Sequence, residues 1–325
     1  MDRDLAAITR GVAAELRRPV PPEAGLVADH VRRRYGSAVA GVLYYGSCLR
    51  TGRTADSVLD FYVLVDSYRA AYRSRALAWS NAILPPNVFY AELGRRPGRP
   101  VRTKYAIMTT EDFGRAASSK TLHSIVWSRF SQPALLVYAR DRRARAAAER
   151  ASVNALLTMV AHMLAFLPRP KKGSLVFSAE DLWQSGFRET YRGEFRPERE
   201  ATIRSVYEAD RGRYDALTGP ALRVLERRGW LRLVQDGSGY EVRMPPRRRE
   251  ALLARWRIRR PLTKALQFPR LIKSAITFGD WVPYALFKIH RHTGILIEPS
   301  ERQLRHPFIW GWPILFRLLR EQALR

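Results

Sequence analysis

Two stretches, VAGVLYYGS at residues 39–47 and DFYVLVD at residues 60–66, carry the fold. Each is of strand length, rich in β-branched and aromatic residues, and apolar on both faces, as expected of strands covered on both sides of a sheet. The first ends on Gly46-Ser47, and Asp60 follows thirteen residues after Ser47. Gly46 allows the backbone to approach a bound phosphate closely. Ser47, expected to open a short helix, offers a hydroxyl and backbone N–H groups at the same place. A carboxylate inside an apolar strand is costly unless it is paired or holds a metal, so Asp60 is the first candidate functional residue.

Working outward, residues 87–92 and 102–108 read as further strands, and 135–138 is a short apolar segment. Residues 4–35 read as two helices split by Pro19, Pro21 and Pro22, and residues 68–83 have helical spacing. Thr109 or Thr110 can cap the next helix, with Glu111 and Asp112 in its first turn. After Asp141 helices dominate, at 142–167, 179–187, 203–213 and 219–228. Two strands, 230–234 and 240–244, then flank the turn signal Asp236-Gly237. Helix, helix, hairpin is a winged-helix pattern. Pro245-Pro246 ends it, residues 247–260 form a basic helical segment, and Pro261 is expected to open a tail.

Strand, Gly-Ser, short helix and acid-bearing strand is similar to the plan of the nucleotidyltransferase superfamily. The expected fold class is therefore α/β (α+β). A nucleotidyltransferase-fold mixed-sheet domain spans residues 1–140, a helical and winged-helix-like domain 141–246, and a basic, amphipathic, aromatic-rich region 247–325. Enzymes of that superfamily usually carry two acids spaced i, i+2 on the second strand, and here Val58 stands in place of the first. Asp66 shares the face of Asp60 but lies ~20 Å along the strand, too far to share a metal. Asp56 reaches the site only through a loop, and Glu92 on a neighbouring strand is an extra ligand candidate. Cys48, next to Ser47, would report nucleotide binding by slowed alkylation if it lines the site.

Composition narrows the partners. With 325 residues, 46% of them hydrophobic, the chain is long enough for two domains and excludes global disorder. A single Cys excludes an internal disulfide. No stretch reaches the ~18 to 20 apolar residues of a membrane span; residues 155–167 read as a buried helix and 308–319 as interfacial. The net charge of +27 predicts a polyanionic partner, and close to half of that excess lies in about the last 80 residues. There the basic residues are interleaved with Trp281, Phe287, Phe308, Trp310, Trp312 and Phe316, a mixture suited to an anionic membrane surface. His290, His292 and His306 lack partners at metal-ligand spacing. The first residues mix Asp2, Asp4 and Glu15 with Arg and lack the apolar core of a signal peptide. The expected location is cytoplasmic, peripheral on the inner face of a bacterial cell membrane.

Four segments together resemble the mitochondrial translocator assembly and maintenance family of phosphatidate cytidylyltransferases and its bacterial relatives. They are Tyr45-Gly46-Ser47 with Leu59-Asp60-Phe61 and Val65-Asp66; Asn87-Val88-Phe89-Tyr90; Lys104-Tyr105-Ala106-Ile107 with residues 127–133 behind it; and residues 182–196, including Tyr191, Gly193, Glu194, Phe195 and Arg196. The likeness covers most of residues 40–260. Departures are Cys48-Leu49, Ala106, Ser131-Gln132 and Glu194. The resemblance implies that CTP and phosphatidic acid give CDP-diacylglycerol and pyrophosphate, that one acid in the Leu59-Asp60-Phe61 position suffices, and that Asp60 holds Mg²⁺. Tyr45, Gly46 and Ser47 then meet the CTP phosphates, Lys104 contacts a phosphate, and Arg192 and Arg196 hold the lipid head group. No nucleic acid partner is expected. The alternatives are a nucleotidyltransferase acting on RNA or a small molecule, and a winged-helix nucleic-acid-binding protein with an inactive transferase domain, whose candidate recognition segment offers Arg223, Glu226, Arg227 and Arg228.

Overall fold

A computed structural model describes residues 2–54, 57–94, 100–121, 123–168, 174–192, 200–236, 239–277 and 299–305. Two helices, α1 (Arg3–Leu16) and α2 (Pro22–Tyr35), precede β1 (Val39–Tyr45), a one-turn-plus helix α3 (Ser47–Thr51) and β2 (Val58–Val65). Then come α4 (Tyr68–Ala71), α5 (Arg75–Ile83), β3 (Asn87–Leu93), β4 (Val101–Thr109), α6 (Thr110–Ala116), α7 (Ile125–Phe130) and β5 (Ala134–Ala139). These strands form one five-stranded sheet in the order β3-β4-β2-β1-β5. Only β2 and β4 pair in parallel, so the sheet is mixed.

Pairing register sets the row that matters. Asp60 on β2 lies opposite Tyr45 on β1 and opposite Lys104 on β4, and Lys104 in turn lies opposite Tyr90 on β3. Side chains alternate between the faces of a strand. On one face Phe61, Val63 and Val65 join a core with Tyr44, Tyr105 and α2. On the other, Tyr62 and Leu64 join Leu43, Ala106 and Met108 in a second, larger core. Both faces are covered, as the two apolar strands require.

The larger core continues through α8 (Arg142–Met163), α9 (Ala179–Tyr191), α11 (Arg211–Arg227) and α12 (Pro246–Thr277), each of which contributes buried side chains. Residues 155–163 of α8 are buried all round, as a helix enclosed on every side must be. Between these helices lie β6 (Leu175–Phe177), α10 (Glu200–Glu208), β7 (Arg232–Gln235) and β8 (Tyr240–Arg243), the strands forming an antiparallel sheet in the order β6-β8-β7. A short α13 (Glu301–Arg305) follows. Among the described residues no helix is long and apolar enough to cross a membrane.

Three sequence expectations change. Residues 175–177 pair as a strand, although three residues are too few to show a period. Helix α11 starts at Arg211 and runs through Gly219-Pro220, because Tyr214, Leu217, Thr218, Ala221, Leu222 and Leu225 form one continuous buried stripe. Helix α12 likewise passes Pro261 and Pro269 instead of breaking at the first. A proline leaves the carbonyl four residues earlier without its donor. Here those residues, Arg257 and Ala265, are exposed, so water can serve the freed groups. The opposite face, Leu252, Trp256, Arg259 and Thr263, is buried at helical spacing and holds the helix to the core. The aromatic residues of 281–316 and the three histidines beyond residue 289 lie outside the described residues.

The anchor of α12 is a buried cation. Arg259 is 1% exposed. Its guanidinium lies 4.8 Å from the Trp256 ring centre and 5.6 Å from that of Trp127, and donates to Thr121 O at 2.7 Å. It also lies 3.1 Å from His162 Nδ1. A guanidinium only donates, so Nδ1 accepts and His162 is neutral. Burial first, then Arg259 and Arg255, hold the His162 pKa down to about 3. Burial, with Arg270 and Arg259, lowers that of His123 to about 4. Both histidines stay neutral in the folded state where the unfolded chain, with values near 6.5, takes up protons. Stability is therefore full above pH 6.5 and falls as the pH drops below it. Urea denaturation between pH 6.5 and about 5, above the main carboxylate range, should show a loss approaching about 1.4 kcal/mol per pH unit for each histidine. His162→Asn, which keeps an acceptor near the Nδ1 position, should remove about half of that slope.

Candidate active site

The site begins at the turn that leaves β1. Gly46 has φ 95° and ψ −165°, a conformation that L side chains rarely adopt. A Cβ there would lie 3.1 Å from Asp60 Oδ2. Glycine thus lets the chain turn directly against the carboxylate of the neighbouring strand. Ser47 then points outward, while Cys48 turns inward, its Sγ 3.5 Å from Val58 O in the core beneath the sheet. Cys48 does not line the site, and its alkylation cannot report on a ligand there.

Asp60 and Lys104 meet side by side across β2 and β4, Nζ to Oδ1 at 2.9 Å. Their side chains are 18% and 38% exposed, so the pair is half-open to solvent and contributes little to stability. Both line a cavity of about 590 Å³. Tyr62, Val88 and Ala106 of the same sheet face line it too, continuing the row's side of the sheet, and the Tyr45 ring packs at 5.5 Å from Tyr62 and 5.3 Å from Phe130. Further lining comes from four separate parts of the chain: Arg50 on α3, Arg129 on α7, Tyr191 at the end of α9 and Arg270 on α12.

Charge is the distinguishing property. Among the described residues lining the cavity, Asp60 is the one carboxylate, facing Arg50, Lys104, Arg129 and Arg270. Arg50 reaches Gln132 Oε1 at 3.4 Å, and Arg129 donates to Ile125 O at 2.9 Å. A concave wall so unbalanced concentrates field lines and draws in anions.

The structure brings together Tyr45, Gly46, Ser47, Asp60 and Lys104, five of the residues singled out from sequence. Arg192 is not with them: it is exposed, caps α9, and pairs with Glu189 at 2.9 Å. Arg196 and Asp56 lie outside the described residues. Glu92 is taken up by Tyr90 (2.6 Å) and Arg102 (3.1 Å), and Asp66, at the far end of β2, by Arg140 at 2.5 and 3.0 Å. Neither lines the cavity. Sequence reasoning missed Arg50, Arg129 and Arg270. Arg50 had a local signal, lying one helical turn past Ser47; the other two arrive through packing of distant helices.

The chain matches no protein-family model and no curated protein sequence.

Two glycines test the turn. Gly46→Ala should destabilise the protein by about 1–3 kcal/mol in urea denaturation, since it meets both an unfavourable backbone and the Asp60 carboxylate. Gly52, which ends α3 at φ 68° with open space around it, should accept Asn almost without loss.

Proposed function

We propose that the protein is a nucleotidyltransferase, and specifically a phosphatidate cytidylyltransferase: CTP and phosphatidic acid give CDP-diacylglycerol and pyrophosphate at an anionic membrane surface. The observation that carries this is the in-register row of Asp60 and Lys104 beside the Gly46-Ser47 turn, in a cavity where, among the described residues, four cations face one acid. That array suits a triphosphate and a second phosphate-bearing substrate. The β1–α3–β2 hairpin in a mixed sheet supports the nucleotidyltransferase fold, and the order α8, β6, α9, α10, α11, β7, β8 supports a winged-helix-like unit behind it.

The chain's residues divide the work by position. The Gly46 turn and Ser47 hydroxyl lie where they can hold the nucleotide phosphates, with Arg50 one turn further along α3. Asp60 fits one Mg²⁺ that is carried largely by the nucleotide, because Mg²⁺ commonly takes one or two carboxylates and completes its shell with substrate phosphates and water. Among the described residues no cluster of three or more acidic, His or Cys side chains could hold a metal by itself. Bound there, Mg²⁺ would supply neutralisation of the charge that develops on the leaving pyrophosphate. Lys104, released from Asp60, turns to the phosphates as a point charge.

The attacking oxygen belongs to a phosphate monoester with a second pKa of about 6, so it is already ionised near neutral pH. It forms the new bond to the α-phosphorus as the bond to the β-phosphate oxygen breaks, and pyrophosphate leaves. No proton has to be removed, which suits a site with a single carboxylate. Catalysis is positioning and charge stabilisation.

A nucleic-acid-binding role is less well supported. Arg223 pairs with Asp4 at 2.9 Å and with Asp236, and Arg227 pairs with Asp2 (2.6 Å) and Asp4 (2.5 Å). Glu226 accepts from the Leu233 amide at 2.7 Å. Three of the four side chains named for recognition, Arg223, Glu226 and Arg227, are thus tied within the protein.

Transfer of label from α-³²P-CTP to phosphatidate in liposomes, with Mg²⁺, tests the reaction. Wild type should form lipid-linked CMP, and Asp60→Asn should lower the rate at least a hundredfold while leaving the melting temperature within a few degrees, since the Asp60–Lys104 pair is half-exposed. Absence of lipid product across several phosphatidates and divalent metals would sink the proposal.

A further inference from the structure

The cationic wall of the cavity has an owner that neither the sequence motifs nor the transferase plan accounts for. Arg270 lies within the last two turns of α12, eleven residues after the buried Arg259. Helix α12 packs against β3, and Lys273, one turn beyond Arg270, donates to Leu84 O just ahead of that strand. Arg270 therefore reaches the cavity from the β3 side. Gly46 and Ser47 reach it from β1, three strands away, or ~14 Å at the usual strand spacing. The Asp60–Lys104 row lies between the two.

Arg270 is held in a state that calls for an anion. Its Nε and Nη1 are buried and make no hydrogen bond. Leaving buried donors of a charged group unsatisfied is expensive, and such groups in folded proteins have partners as a rule. Burial lowers its pKa from the ordinary guanidinium value, and the nearby Arg129 adds to this. Among the described residues, the titratable groups that act on it are two cations, Arg129 on α7 and Lys273 on its own helix, a neutral imidazole, His123 ahead of α7, and a phenol, Tyr62 on β2. Asp60, the one carboxylate among the described lining residues, is already engaged by Lys104.

We propose that Arg270, together with Arg129, forms a second anion subsite that binds the phosphomonoester group of the acceptor, apart from the nucleotide's place at Gly46, Ser47 and Arg50. A guanidinium presents a planar fork of N–H donors that matches two phosphate oxygens at once. Two such forks on one wall fit a dianion. The nucleotide's α-phosphate would then lie over the Asp60 row, between its own triphosphate grip and the incoming phosphate. One consequence is that α12 is part of the active site: acceptor binding requires the helix to be seated by Trp256 and Arg259. The inference rests on the transferase reading for the word acceptor, but the subsite itself is a statement about phosphomonoester binding.

Isothermal titration of the full chain with dihexanoyl phosphatidate below its micelle concentration, with inorganic phosphate, and with CTP plus Mg²⁺ tests it. Arg270→Gln should weaken dihexanoyl phosphatidate at least tenfold and leave CTP within twofold; Arg270→Lys should recover part of the loss, as a point charge without the fork. Inorganic phosphate separates the sources: a parallel loss assigns Arg270 to the phosphate group itself, and a loss confined to the lipid assigns it to the ester. Wild-type affinity should rise as the pH crosses about 6 and the ligand becomes a dianion, and Arg270→Gln should flatten that rise, which a merely structural change would not do. An Arg270→Gln protein with the wild-type melting temperature and unchanged phosphatidate affinity overturns the subsite, as does an equal fall for CTP and phosphatidate. If wild type transfers no label from CTP yet Arg270→Gln selectively loses phosphomonoester binding, the transferase reading falls and the subsite stands.

Discussion

Everything at the site depends on the register of β2 between β1 and β4. Parallel pairing with β4 sets Asp60 beside Lys104, and antiparallel pairing with β1 sets it beside Tyr45 and the Gly46 turn. A slip of one residue would exchange the two faces of β2. It would turn Asp60 into the core under α2 and lift Phe61 into the cavity. The fold resists this because Phe61, Val63 and Val65 fill one core while Tyr62 and Leu64 fill the other. Two-sided burial makes the strand's position non-negotiable, and the half-open Asp60–Lys104 pair is a passenger on that constraint. Asp60 and Lys104 need not contribute much stability, because the apolar residues between them already hold the geometry.

A similar division governs the helical half. Arg259 is a buried charge set against two indole faces, a backbone carbonyl and a neutral histidine. Cation–π attraction strengthens when the cation is desolvated. The arrangement joins α12 to α7 and α8 through one side chain. From that anchor the helix carries Arg270 and Lys273 to the edge strand, so the placement of one end of the cavity is inherited from packing at the other end of α12.

The large positive charge is thereby partly explained. Many arginines are used internally: Arg140 with Asp66, Arg213 with Glu15, Arg188 with Glu200, and Arg223 and Arg227 with the acids of α1's first turn and N-cap. A different subset, Arg50, Arg129 and Arg270, with Lys104, lines one cavity. Net charge taken from composition cannot separate these groups. It gives only their sum, whereas the structure shows which of them share the cavity.

Length, β-branched and aromatic content and flanking turn residues in the sequence determined the strands, because a short apolar run such as residues 39–45 or 60–65 buries two faces as a covered strand. They also determined the Gly46-Ser47 turn and Asp60, since a glycine after a strand and an acid inside an apolar strand each break a local rule. Lys104 was legible for the same reason. What the sequence did not determine were the features that depend on which surfaces meet. Pro261 read as a helix stop and Gly219 as a helix start, but burial of one continuous stripe carries each helix through. Arg192 looked like a head-group ligand, and a buried Glu189 one turn earlier claims it. Arg129 and Arg270, 141 positions apart in sequence, became neighbours only when α7 and α12 packed over the same sheet face. Local sequence can show that a residue is costly where it stands; only the tertiary fold decides which other residues share the space it opens.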